Sequence, residues 1–167
     1  SYTGGSTTAH INGPMERRLR PGGGTYGYPV GNLGRYAQLD VQNPGGFAGT
    51  KDYTVSYHYE NNPYNMFLIN NAVAGVKVQK ASSWEYWRVD APSPANANLR
   101  LHWDQGSDVA NPAHLRVLVW DPANAGQGWT VQQQTQAPSG SSTYGNVAGG
   151  PVSFSTLCGG LSAVTLP

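Results

Sequence analysis

Charge is what this sequence has least of. Only 11% of its 167 residues are Asp, Glu, Lys or Arg, where an average soluble domain carries roughly 25%. Ten basic and nine acidic side chains leave a formal charge of +1, so no broad field gathers nucleic acid or anionic lipid. Arg17, Arg18 and Arg20 form the one basic cluster, which reads as a solvated loop face rather than a phosphate patch. Little like-charge repulsion keeps copies apart, a condition compatible with self-association.

Cysteine is nearly absent as well. Cys158 is the single thiol, which excludes an intramolecular disulfide. Within "FSTLCGG" it reads as a buried, inert thiol, with a bridge to a second chain as the alternative. No apolar run is long enough to cross a bilayer, so no membrane insertion is expected. The chain opens directly on "SYTGGSTTAH", without a leader pattern. An exported protein of this sequence would then be a mature or excised piece. Helix signals are scarce, and "PYNMFLINNAVAG" is the one stretch that suits a short helical turn.

Gly (22), Pro (12), Tyr (10) and Trp (5) are plentiful, against three Phe. Aromatic and β-branched residues recur in short clusters, which argues against disorder. Their period is two. In "DYTVSYHY", Tyr53, Val55, Tyr57 and Tyr59 share one face, with Thr54, Ser56 and His58 on the other. "NLRLHW" sets Leu99, Leu101 and Trp103 against Arg100 and His102. "WEYWRV" sets Trp84 and Tyr86 against Trp87 and Val89. "HLRVLVW" is apolar on both faces, with Leu118 and Trp120 opposite Leu115, Val117 and Val119, so it needs cover on both sides. "WTVQQQTQ" reads as an edge or surface strand because glutamines follow Trp129 and Val131.

Between these segments stand "RPGGGT", "NPGGFAGT", "ENNPYN", "APSPANAN", "DPANAGQG" and "APSGSS", all turn chemistry. The spacing predicts an all-β, antiparallel sandwich, jelly-roll-like, with long Gly/Pro/Asn-rich loops and at most one short helix. One domain spans 1–167. Residues 1–12, polar and uncharged, read as an ordinary first strand or as an arm that adds to a neighbour's sheet edge. In "TYGYPVGNLGRY", Tyr26 and Tyr28 share a face and Pro29 interrupts the ladder. That corner reads as a device for passing the chain between sheets.

Candidate chemistry is thin. Asp104 and Asp121 each follow a strand-ending tryptophan, and they are the best pair for glycoside hydrolysis. Turn opening is the preferred explanation of both positions, since no neighbouring residue gives a reason for a shifted pKa. Asp104 and Asp108 in "DQGSD" make a weak calcium candidate, short of a full ligand set. His10, His58, His102 and His114 show no metal-ligand spacing. "PGGGTYG" lacks the residues of a phosphate cradle, and there is no nucleophile elbow. No cofactor and no catalytic residue are predicted. Trp87 and Trp103 read as core. Trp129 and Tyr144, beside polar loops, read as the candidate exposed platforms for a stacked sugar, with packing under a loop as the alternative.

Five motifs occur in order: "AHINGPMERRL", "GYPVG" followed by Tyr36, "EYWRVDAPSPANANLRLHWDQ", "HLRVLVWDPANAGQGWT" and "VSFSTLCGG". The series resembles a β-rich module of large secreted and surface proteins of the Bacteroidetes and related bacteria, commonly found just ahead of a type IX secretion sorting domain. The turn is Asn12-Gly13-Pro14, and the corner is Tyr28-Pro29-Val30-Gly31, with Tyr where the module has Phe. Tyr86-Trp87, Trp103, Trp120 and Trp129 complete the match. The resemblance implies export and brings no catalytic residues. The expected function is a non-catalytic structural or adhesive module, partnered by copies of itself or other cell-surface components. A carbohydrate-binding module of a secreted polysaccharide-active protein is the alternative.

Overall fold

The computed structural model describes residues 5–70, 78, 81–91, 94–107, 109–120, 128–154 and 160–164. Two antiparallel sheets face each other. The first runs in the order β13 (Gln134–Gly140), β14 (Gly145–Phe154), β10 (Ala95–Trp103), β6 (Leu39–Gly45) and β3 (Thr25–Tyr28). The second runs β2 (Met15–Leu19), β7 (Lys51–Tyr59), β9 (Glu85–Asp90), β15 (Gly160–Val164), β11 (Arg116–Trp120), β12 (Trp129–Val131) and β8 (Ile69–Asn70), with only its last pair parallel. A small third sheet joins β1 (Ile11–Asn12), β4 (Val30–Asn32) and β5 (Arg35–Tyr36). Two 3₁₀ turns, Gln105–Ser107 and Pro112–His114, are the helical elements among the described residues. The predicted all-β sandwich is therefore the observed architecture. Residues 63–70 of the helix candidate lead into β8 instead, and residues 71–75 lie outside the described part.

Alternation builds the layer between the sheets. Along β10, Ala95, Ala97, Leu99, Leu101 and Trp103 are buried while Asn96, Asn98, Arg100 and His102 are half-buried. Opposite them, Tyr53, Val55 and Tyr57 of β7 point inward with Trp87 and Val89 of β9. The larger rings carry polar atoms that need partners when dry. Trp87 Nε1 donates to the Ala37 carbonyl at 2.8 Å, and Tyr28 Oη donates to the Tyr53 carbonyl at 3.2 Å. Tyr57 and Trp87 lie 5.2 Å apart, centroid to centroid.

The Pro29 corner does what its residues suggest. β3 pairs with β6 in the first sheet, and one residue later β4 pairs with β1 and β5. Gly31 is required there because a Cβ would sit 2.1 Å from the Arg35 carbonyl oxygen.

A second, smaller core covers the outer face of β11 and β12. Leu118, Trp120, Trp129 and Val131 pack there with Val78 and Ala81, under Tyr64, Met66 and Ile69. This is the second cover that the apolar outer face of β11 demanded.

Replacing Trp87 with Ala removes a fully buried ring and its hydrogen bond, so the expected cost is about 3–5 kcal/mol. Urea unfolding measures it, and a loss below about 1 kcal/mol would show that the inter-sheet layer does not carry the stability.

Candidate ligand-binding pocket

β2 covers only part of its neighbour. Its register runs from Leu19 opposite Lys51 to Met15 opposite Val55. Beyond Val55 the chain on that side is the Asn12-Gly13-Pro14 turn. Pro14 offers no N–H to the ladder, and Gly13 holds φ +128°, which a side chain resists. The turn therefore carries the chain off the sheet, and β7 continues paired with β9 but no longer with β2. The gap is an open pocket of about 470 Å³, lined by the turn, Asn32 of β4, and Thr54, Ser56, His58, Arg88 and Asp90.

These strand residues form the outward row of β7 and β9. Register sets Thr54 opposite Asp90, Ser56 opposite Arg88 and His58 opposite Tyr86. The Arg88 guanidinium is paired with Asp90, Nε to Oδ2, at 3.0 Å, so the lining's cation and anion cancel. His58 stacks on Tyr86 with ring planes 2° apart and centroids 4.7 Å apart. Its Nδ1 lies 3.1 Å from Glu60 Oε1 and its Nε2 lies 3.0 Å from Ser56 Oγ. If Nδ1–H donates to Glu60, Nε2 accepts from the Ser56 hydroxyl. The series has the hydrogen-bond order of a hydrolytic triad. Ser56, however, stands mid-strand in a flat row, whereas a nucleophile elbow lifts its serine on a sharp turn. The arrangement orients the imidazole and the hydroxyl at the pocket wall.

A second polar cluster is buried. Arg35 Nη2 is ion-paired with Asp104 Oδ1 and donates to Ser107 Oγ at 3.1 Å, while Nη1 donates to the Gly106 carbonyl at 2.7 Å. The guanidinium lies over the Tyr59 ring, 4.1 Å from its centroid. Glu85, 4% exposed, accepts from Tyr57 Oη at 2.8 Å and from Ser107 Oγ at 3.1 Å. Arg35 Nη2 stands 3.6 Å from it. Burial pushes the Glu85 carboxyl above its ordinary 4.5, against the hydrogen bonds from Tyr57 and Ser107 and the nearby Arg35 charge. The cluster ties β5, β7 and β9 to the 105–107 turn. Sequence reading missed Arg35 and Glu85, because nothing local links residues this far apart.

The third cluster sits on the outer face of the first sheet. Asp40 Oδ2 meets His102 Nε2 at 3.1 Å, and Gln38 Nε2 donates to Asp40 Oδ1 at 2.5 Å. Arg100 Nη1 lies 3.7 Å from the same carboxylate. Burial opposes its charge, but the bonds from His102 and Gln38 together with Arg100 hold the Asp40 carboxyl below its ordinary range.

The residues predicted from sequence are scattered. Asp104 serves Arg35 and the Gly106 N–H, at 2.8 Å, while Asp108, Asp121 and Cys158 lie outside the described residues. Among the described residues no group of three His, Cys, Asp or Glu could hold a metal ion. Trp129 is corrected. It is fully buried in the second core, 5.7 Å from Trp120, and offers no free face to a sugar. Tyr144 is 69% exposed, in the loop between β13 and β14. Trp84, which sequence reading did not single out as a platform, is 61% exposed. The strand alternation carries the outward row of β9 back to it, and Glu60 N–H donates to its carbonyl at 2.9 Å. His10 binds the Ser6 carbonyl, Nδ1 to O, at 3.1 Å.

Fold and site together define an all-β sandwich with a neutral polar pocket on one outer face. Comparison with family models, curated proteins and solved structures finds no match to this chain.

Arg35→Met leaves Glu85 and Asp104 without their cation, and the expected cost is about 3–5 kcal/mol. Glu85→Gln keeps an acceptor oxygen for Tyr57 and Ser107 and leaves Arg35 paired with Asp104, so it is expected to cost clearly less than Arg35→Met. A loss as large as that of Arg35→Met would show that the charge itself holds the cluster. Both are read by urea unfolding.

The carboxylates Asp40 and Glu85 also act oppositely with pH. Asp40, depressed in the fold, stabilises above its ordinary 3.8 and loses that contribution as pH falls through its folded value. Glu85, raised in the fold, favours the folded state below 4.5 and loses that contribution as pH rises through its folded value. Melting temperature against pH is therefore expected to fall less steeply on acidification in Asp40→Asn than in wild type. An unchanged acid limb would refute the Asp40 assignment.

Proposed function

We propose that this chain is a non-catalytic structural and adhesive module of an exported bacterial cell-surface or extracellular protein. One observation carries the reading. The two buried carboxylates among the described residues act as clamps between strands, Glu85 beside Arg35 and Asp40 on His102. Such groups are already engaged with one another and face no cleft where a bond would be broken. The ordered motifs resembling the Bacteroidetes module support export.

The edges favour contact through faces rather than through strand addition. β2 presents Glu16, Arg17 and Arg18 on an outer edge, and β13 carries Pro138 on another. Both features resist further pairing. Of the segment read as a first strand or donated arm, the described residues 5–12 pair within this chain: Ser6 bridges Ala9, and Ile11–Asn12 pairs with Val30–Gly31.

Fractionation of the cells that make the protein tests the reading. The expected result is protein at the surface or in the medium, and purified protein that binds those cells saturably without turning over chromogenic esters or glycosides. Cytoplasmic confinement, or hydrolysis abolished by Ser56→Ala, would overturn it.

A further inference from the structure

We propose that the outer face of β7 and β9 binds an uncharged oligosaccharide, with one sugar unit in the pocket and a second stacked on Trp84. The inference rests on the adhesive reading above and names its ligand class.

The lining selects the chemistry. Asn12 and Asn32 bring amides that both donate and accept, Thr54 and Ser56 bring hydroxyls, and His58 brings an oriented ring. Arg88 and Asp90 add a charge pair that cancels. Such a set matches a ligand crowded with hydroxyl groups. It does not suit an anion, because the pocket's guanidinium is already neutralised by Asp90. The volume, about 470 Å³, falls within the range of small-molecule sites.

The row then supplies an aromatic platform. Trp84 stands four residue steps before Arg88, just ahead of β9, roughly 13 Å away at about 3.3 Å per step. A single sugar ring in the pocket does not span that distance, so a chain of units is the ligand that engages both. The flat apolar face of a sugar ring suits an exposed indole. Between them His58 lies stacked on Tyr86, and Tyr86 Oη donates to Glu60 at 2.9 Å. The middle of the row is thereby held rigid, which lowers the ordering cost of binding.

The test uses soluble cello-, xylo-, manno- and chito-oligosaccharides at millimolar concentration, read by amide chemical-shift mapping of the ¹⁵N-labelled protein. At least one series is expected to bind, shifting Asn12, Asn32, Ser56, His58 and Trp84. Trp84→Ala and Arg88→Met each remove an exposed side chain, and unchanged melting temperatures verify their folds. Each is expected to weaken binding about tenfold, or 1.4 kcal/mol.

Failure of all four series would overturn the proposal. So would binding that shifts only Tyr144 or Asn98–His102 and survives both substitutions, or a pocket that responds to inorganic phosphate and to no sugar. The adhesive reading fails separately. If Trp84→Ala/Arg88→Met protein still coats cells as wild type does, adhesion stands and the sugar site falls. If wild type binds sugar through this row but not cells, the site stands and adhesion falls.

Discussion

Two nine-residue strands, β7 and β10, must each put every second side chain into the dry layer between the sheets. That constraint organises the molecule. Tyr53, Val55 and Tyr57 from one side meet Leu99, Leu101 and Trp103 from the other, and a shift of one residue would turn each set out to solvent. The same rule places Thr54, Ser56 and His58 in one outward row and Asn98, Arg100 and His102 in another. The polar rows are therefore by-products of core packing before they are sites. What makes the β7 row unlike the β10 row is its border. β2 stops at Met15, and the turn before it leaves a hollow beside the row.

Buried charge divides the labour differently. Glu85 is costly to ionise where it stands, and Arg35 offsets part of that cost while reaching Asp104, Gly106 and Ser107 at once. This fixes one loop relative to three strands, a specificity that apolar packing alone defines less sharply. Asp40, equally buried, does comparable work where β6 and β10 pair, with the half-buried His102 and Arg100 as its partners.

Local rules made much of the architecture legible. Period two located β7, β9, β10 and β11, and the apolar outer face of Leu118 and Trp120 announced a second layer. The Tyr28-Pro29-Val30 corner announced a change of sheet. The sites were less legible, because they arise from contacts distant along the chain. Arg35 follows the Pro29 corner, and its ion-pair partners Glu85 and Asp104 stand fifty and more residues away. Trp129 was judged by the glutamines after it, but its position is set by Trp120, its cross-strand partner. Asp104 was a weak calcium candidate by its neighbours, while its carboxylate is engaged by Arg35, 69 residues away. The pocket needed the end of β2, the row of β7 and Asn32 together, and no window of sequence contains all three.

The corner at Pro29 has a mechanical side. Tyr28 is hydrogen-bonded into one layer, and Val30 belongs to a strand that packs against β7 of the other. The Pro29 peptide thus joins the first sheet directly to the small third sheet, whose β4 packs against β7. A load that pries the sheets apart there meets the peptide chain itself, not a row of separable contacts.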